Sequence, residues 1–238
     1  GRTLTASPFF STAVLGATLL SRFGSDSQKS DMLPKLVEGQ LITALACDER
    51  PRHAPSFIQT KAESSGNGFK LNGAKCFVLD GHVADKLIVA ARTHGEDRDE
   101  NGITLFIVDR DAEGLEIERT EMVDNRNAAR ITLCDVQVSG DAVLGDIDRG
   151  FKVLNHALDV GRICLSAEML GVSQEAMEQT VGYLKEREQF GRIIGTFQGL
   201  QHRAAHLFSE IEVTRSAVLK GLPGLDEDSP MTSHLASM

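Results

Sequence analysis

The run Tyr183-Leu184-Lys185-Glu186-Arg187-Glu188-Gln189-Phe190-Gly191, followed by Thr196-Phe197-Gln198, places a guanidinium, an aromatic ring and an amide around one glycine-marked helix end. Those groups suit a planar, phosphorylated ligand. Arg187 offers paired donors to phosphate oxygens, Phe190 a flat apolar face, and Gln198 an amide that bridges polar groups. A solvated helix end uses the same residue types, so the spacing alone leaves both readings open.

Other chemistries are poorly supported. His202 and His206 lie four apart on one predicted helix, but Arg203-Ala204-Ala205 between them adds neither a base nor a third ligand, which favours a packed or solvent-facing pair over a metal site. No G-x-G-x-x-G follows a strand, and Walker-type, H-E-x-x-H and G-x-S-x-G motifs are absent. Cys47, Cys76, Cys134 and Cys164 are widely spaced in apolar runs and form no C-x-x-C, so they read as buried free thiols in a reducing compartment.

Three blocks of pattern must position these residues, an α+β order. Residues 1–40 read as the end of a helical domain. Ser7-Pro8 starts a helix that Gly24 ends, and Ser25 with Gln28 forms a capping box for a second. Pro34 is expected to break or kink that second helix and Gly39 to close it. Residues 41–143 read as a β-domain, a barrel or sandwich of short Val-, Ile-, Thr- and Phe-rich runs. Within it Asn72-Gly73 is expected to turn a hairpin between Phe69–Leu71 and Ala74–Leu79. Lys86–Thr93 and Ile103–Asp109 read as buried strands flanking a solvated acidic loop. A phase slip between Ile131 and Val138 suggests a β-bulge. Residues 144–238 turn helical. Phe151, Leu154, Leu158, Leu165, Met177, Val181 and Leu184 share one stripe, interrupted by Gly161, Gly171 and Gly182. Leu200, Ala204, Leu207, Ile211 and Val218 mark a further helix, expected to end at Gly221 and Pro223-Gly224.

At 238 residues, 41% hydrophobic and 25% charged, the chain reads as globular. A net charge of -9 argues against a nucleic-acid or anionic-membrane surface. No secretory signal or membrane span is visible, since Phe9–Leu20 is too short, and the expected location is cytoplasmic. Gly1 at the start and a new helix under way near Met238 suggest that both ends are cut from something longer.

Taken in order, several stretches resemble the acyl-CoA dehydrogenase family along nearly the whole chain. They are Gly24–Lys29 through Leu33–Leu36, Leu71–Lys75, Ala84–Thr93, Gly102–Asp109, Val143–Gly145, and Arg187–Gly191 with Phe197-Gln198. The chain looks most like the diverged branch that includes the small subunit of pimeloyl-CoA dehydrogenase. The resemblance implies the tail of an N-terminal helical domain, a complete middle β-domain and about half of a C-terminal four-helix bundle. The half not present would carry the usual catalytic glutamate. In this family an acyl-CoA thioester loses its α-proton to a carboxylate while the β-hydrogen leaves as hydride to FAD, and an electron-transferring flavoprotein takes the electrons.

By that resemblance Arg187, Phe190 and Gln198 match positions that hold FAD across a dimer interface, and Gln189 sits where a polar residue touches the cofactor. Asp159 and Arg162 match positions near the acyl-CoA, although an i,i+3 ion pair explains them as well. Three segments depart from the family. Thr-Glu-Pro beside the flavin reads Asp48-Glu49-Arg50. Gly-Ser-Asp gives way to the basic Pro51–Ser56. Trp-Ile-Thr reads Phe77-Val78-Leu79. Phe77 still stacks, while Leu79 donates no hydrogen bond. Asp48 places a carboxylate beside an electron-accepting ring and needs a partner, for which Arg50 or Arg52 is expected. Backbone amides near Cys47 and Asp48 remain to serve the ring edge. Some branches place the catalytic glutamate where Gly161 stands, so the base is unknown. Besides a β-domain plus bundle with no retained cofactor, two functional readings follow. One is an FAD-dependent acyl-CoA dehydrogenase, a homodimer or tetramer. The other is a non-catalytic partner subunit of a heterotetramer that lends flavin contacts across the interface.

Overall fold

The computed structural model describes residues 1–124, 126–226 and 231–237. They form two compact units, one of Ala6–Leu158, the other of Gly1–Thr5 with the chain from Asp159 onward.

The first unit is organised by two strands that are apolar at nearly every position, β4 (Lys86–Arg92) and β5 (Ile103–Asp109). Such runs belong in strands covered on both faces. Ile88 and Ala90 of β4, with Ile103, Leu105 and Ile107 of β5, enter a core shared with α1 (Ala17–Phe23) and α2 (Asp26–Val37). Leu87, Val89, Ala91, Phe106 and Val108 point the other way, into a second core closed by β3 (Gly68–Leu79) and β7 (Asn127–Ser139). A one-residue slip would exchange the two sets, so the double burial fixes the register. With β2 (Lys61–Ser65), β6 (Leu115–Glu121) and β8 (Val143–Leu144), the sheet has eight strands in the order β6-β7-β3-β2-β4-β5-β8, and β1 (Thr43–Ala46) pairs in parallel with β4.

The capping box forms as expected, with the Ser25 hydroxyl accepting from Gln28 N and the Gln28 side chain accepting from Ser25 N. Pro34 does not break α2, which runs to Val37; the proline forfeits one hydrogen bond near the helix end, and Glu38 N still bonds to its carbonyl. Gly39, at φ +71, closes the segment. Asn72-Gly73 is not a hairpin turn. β3 continues through it, and the reversal lies at Gly66-Asn67, between β2 and β3. A Cβ on Gly73 would sit 2.5 Å from the Thr60 hydroxyl, so close packing rather than a turn explains this glycine. The phase slip in β7 is real. Between the pairs Leu71↔Val136 and Gly73↔Leu133, β7 carries one extra residue, with Asp135 at φ +54.

One buried cation staples the loops to this sheet. Arg92 closes β4, and its guanidinium donates to the backbone carbonyls of Ser56, Ile58, His94, Asp97, Asp99 and Asn101. The acidic loop after β4 is thus wrapped around a charge that burial alone disfavours, and burial does hold the guanidinium pKa below its ordinary value.

The second unit continues α3 (Gly150–Glu186), a helix of 37 residues, into a tight hairpin of β9 (Glu188–Gln189) and β10 (Arg192–Ile193), then α4 (Gln198–Asp226) and the short α5 (Thr232–Leu235). Met177 and Leu170 of α3 face Leu207, Ile211 and Thr214 of α4 across an apolar groove. The predicted stripe is only partly covered, with Leu165 exposed, and Met169, outside the stripe, is exposed too. α4 does not end at Gly221 or Pro223; the helix carries Pro223 inside it and continues to Asp226.

Replacing Arg92 by Met strips the donors from those carbonyls. Unfolding free energy in urea is expected to fall by about 3 kcal/mol or more, with Arg92→Lys intermediate because a lysine lacks the fork.

Candidate functional site

The end of β1 and the middle of β3 meet through one backbone bond, Cys76 N donating to Asp48 O at 2.8 Å. The Cys76 thiol donates to Arg50 O at 3.1 Å. The next residue, Phe77, sits on a β-bulge. Between the pairs Lys75↔Ile131 and Val78↔Ala129, β3 holds one residue more than β7. Bulges re-aim side chains, and this one turns the Phe77 ring outward, 52% exposed, at φ +51, a region that costs a bulky residue about 1–3 kcal/mol. Lys75 and Val78 on either side are buried.

Beneath the bulge lies an ion pair closed off from water. Lys75 Nζ is 2.7 Å from Glu49 Oε1, with the two side chains 0% and 6% exposed. The Glu49 carboxylate also accepts from Gln59 N at 2.6 Å and Thr60 N at 2.9 Å. One side chain therefore holds both ends of the 49–60 loop against β3. Burial pushes the Glu49 pKa up, but the Lys75 charge and the Thr60 bonds outweigh it and hold the carboxyl below its ordinary value.

Asp48 does find a partner, though neither of the expected arginines. Its carboxylate accepts from Ala54 N at 3.1 Å and meets His53 Nδ1 at 2.8 Å. Arg50 instead lies over the Phe57 ring, 3.4 Å from the centroid, because the loop folds back to bring His53 rather than Arg50 onto Asp48. Cys47 is buried, and burial with the Asp48 charge pushes its thiol up to about 12, so no thiolate chemistry arises there. Leu79, partly buried and paired with Ala128, brings no donor.

The helical unit gathers the other predicted residues. Phe190 and Gly191 form the two-residue turn between β9 and β10, at φ +55 and +76, the signature of a type I′ turn. Phe190 is 90% exposed and touches Phe197 edge-on at 6.2 Å, and Arg192 lies 4.1 Å from the Phe197 centroid. The Arg187 guanidinium and the Gln198 amide are exposed and have no hydrogen-bond partner among the described residues. Gln189 Nε2 donates to Glu188 O at 2.8 Å. Asp159 and Arg162 stand apart from this group as a 2.5 Å ion pair, with Ser233 Oγ donating to Asp159 at 2.5 Å.

Sequence reasoning missed His53 and the Lys75–Glu49 pair. A signal for the second was present: a lysine in the apolar run Ala74–Leu79 needs a buried acid.

Comparison with known proteins accounts for both units. Residues 53–137 match the family model "Acyl-CoA dehydrogenase, middle domain" and residues 148–238 match "Acyl-CoA dehydrogenase, C-terminal domain". The chain is 37% identical over 227 residues to a probable acyl-CoA dehydrogenase, YngJ, of Bacillus subtilis, covering 93% of this chain and 60% of that one. The solved butyryl-CoA dehydrogenase of Megasphaera elsdenii superposes with a TM-score of 0.90 at 30% identity, over 96% of this chain and 61% of that one. A structure described as the FAD complex of PigA gives 0.88 at 26%, over 97% and 62%. The chain belongs to the acyl-CoA dehydrogenase family. It spans less than two thirds of the length of these relatives. Among the described residues no helix is long and apolar enough to cross a membrane.

The Lys75–Glu49 pair sets an acid limit on the fold. Because the Glu49 pKa is depressed on folding, its contribution is complete above the unfolded value of about 4.3 and is lost as pH falls through the lower folded value. Glu49→Gln, which leaves a buried lysine without its counter-charge, is expected to cost about 3 kcal/mol at pH 7. The double variant Glu49→Gln/Lys75→Met is expected to lose less stability than wild type between pH 5 and pH 3, as read by urea unfolding at each pH.

Proposed function

We propose that this chain is the flavin-holding part of an acyl-CoA dehydrogenase, which converts an acyl-CoA thioester to the 2-enoyl-CoA with FAD as cofactor and passes the electrons to an electron-transferring flavoprotein. The observation that carries this reading is Phe77, an aromatic ring held outward on a bulge at unfavourable φ beside the end of β1. Backbone strain at an aromatic left half exposed is offset by only part of the packing a buried ring would gain, so it points to a ligand. Phe190 repeats the arrangement at the tip of the helical hairpin.

The donor set fits FAD. A planar heterocycle asks for an aromatic face and edge donors, and a diphosphate asks for a cation. Phe77 supplies the face, with the backbone amides near Cys47 and Asp48 at the ring edge. Arg187 and Gln198, exposed and with no side-chain hydrogen bond among the described residues, offer charge and amide, and Gln189 and Phe190 flank them. In this reading Arg187, Phe190 and Gln198 serve the cofactor of a second subunit, so the working assembly is a dimer or a tetramer. FAD, when bound, supplies the acceptor for the hydride that leaves the β-carbon. Asp159 orients Arg162 through their ion pair, leaving the other guanidinium donors to face the acyl-CoA. No residue of this chain is assigned the α-proton; Gly161, where some branches carry a glutamate, has no carboxylate.

A second reading rests on Leu79. Without a donor at that position the chain serves as a partner subunit in a heteromeric enzyme, supplying contacts to a flavin that another subunit holds more fully.

The purified protein is expected to be yellow, and its flavin band to bleach when acyl-CoA is added without an electron acceptor. Phe77→Ala and Arg187→Ala should each weaken FAD binding about tenfold or more by fluorescence titration, as expected for losing a stacked ring or a phosphate cation. Colour only on co-expression with a homologue selects the partner reading; no flavin under either condition overturns both.

A further inference from the structure

We propose that His53 is the counter-ion that sets the charge beside the flavin ring, so that the reduction equilibrium of the flavin is governed by the protonation of this imidazole. The inference rests on the flavin reading above and goes beyond it by assigning a residue outside the family pattern to the control of the cofactor.

Asp48 is held in place through both its backbone and its side chain. Its backbone carbonyl is bonded to Cys76 N, one residue before the Phe77 ring, at 2.8 Å. Its side chain is drawn back by Ala54 N and is 18% exposed, so water screens it only partly. A carboxylate in that position opposes electron transfer into a neighbouring ring, because the reduced ring carries more negative charge. His53 Nδ1, 2.8 Å from Oδ2, is the group that answers it.

The other charges facing the pair do not compensate it. From β3 the Lys75 ammonium attracts Asp48, but Lys75 is bonded at 2.7 Å to Glu49, whose carboxylate cancels it. From β1 and β3 the Cys47 and Cys76 thiols stay neutral, since burial raises both. Arg130 of β7 acts on Cys76 only at a distance. Arg50 is committed to the Phe57 ring. The net charge next to the bulge therefore follows His53. With the imidazole protonated the pair sums to zero; with it neutral the pair carries one negative charge.

The coupling runs both ways. Two-electron reduction of the ring by an external donor such as dithionite favours the protonated imidazole and so draws a fraction of a proton from solvent onto His53, and the reverse step releases it. His53 acts through Asp48 on the ring and is in this sense a positioning residue for charge.

The test is a potentiometric titration of the flavin-loaded chain from pH 5.5 to 8.5, with dithionite as reductant and redox dyes as mediators, for wild type, His53→Gln, Asp48→Asn and the double variant. His53→Gln leaves Asp48 uncompensated at every pH. It should disfavour the reduced flavin about tenfold at pH 5.5, which is about 29.6 mV for a two-electron couple, and match wild type at pH 8.5. Asp48→Asn should favour the reduced flavin across the whole range. The double variant should follow free flavin with no added slope. Wild type and His53→Gln with the same potential at pH 5.5, while flavin is bound, overturn the inference and leave the flavin reading standing. Failure of the wild-type chain to take up flavin overturns both.

Discussion

The Lys75–Glu49 pair is the constraint on which the β-domain's candidate site depends. Either charge alone would be costly in that interior, and together they remain costly unless the carboxylate's other lone pairs are filled. They are filled by Gln59 N and Thr60 N, at opposite ends from the site in sequence but adjacent in space. The pair therefore links three things that would otherwise be independent: the departure of the chain from β1, the return of the 49–60 loop, and the level of β3 just before its bulge. Asp48 and Phe77 are each one or two residues from an anchored charge, and neither is free to drift.

The bulge converts that anchoring into a presented ring. Without an extra residue in β3, strand alternation from Lys75, which points inward, would send Phe77 inward too. One inserted residue breaks the alternation, returns Val78 to the core and leaves the phenylalanine outside. The same device appears in β7 at Asp135 and, in hairpin form, at Phe190. Two exposed phenylalanines in the left-handed region, on separate units of one chain, are difficult to explain by packing, since neither ring is buried by its own unit.

How much of this was legible in the sequence follows from the range of each interaction. Local signals read well. The Ser25 capping box, the two doubly buried strands and the phase slip in β7 are each set by residues within a few positions of one another, and each is present. Local signals also misled where tertiary packing overrode them. Asn72-Gly73 has turn chemistry, yet the glycine serves a close approach to Thr60; Pro34 and Pro223 are helix breakers by type, yet both lie inside helices that continue past them. The site divided the same way. The hairpin after Arg187 folds back so that Phe190 meets Phe197, the residue before Gln198. The partner of Asp48 was misassigned, because the choice among Arg50, Arg52 and His53 depends on how a six-residue segment folds back, which periodicity does not encode. Arg92 as a staple for six carbonyls was not legible either, since its acceptors are backbone atoms of two stretches, 56–58 and 94–101, far apart in sequence.

The central claim is that the β3 bulge exists to hold Phe77 against a flavin. A crystal structure of the flavin-loaded protein tests it most directly. The account predicts the isoalloxazine in contact with the Phe77 ring, with Phe77 still at positive φ and the Lys75–Glu49 pair intact behind it. A flavin bound elsewhere, or a bulge that relaxes to a regular strand with the ring turned into the core, would contradict it.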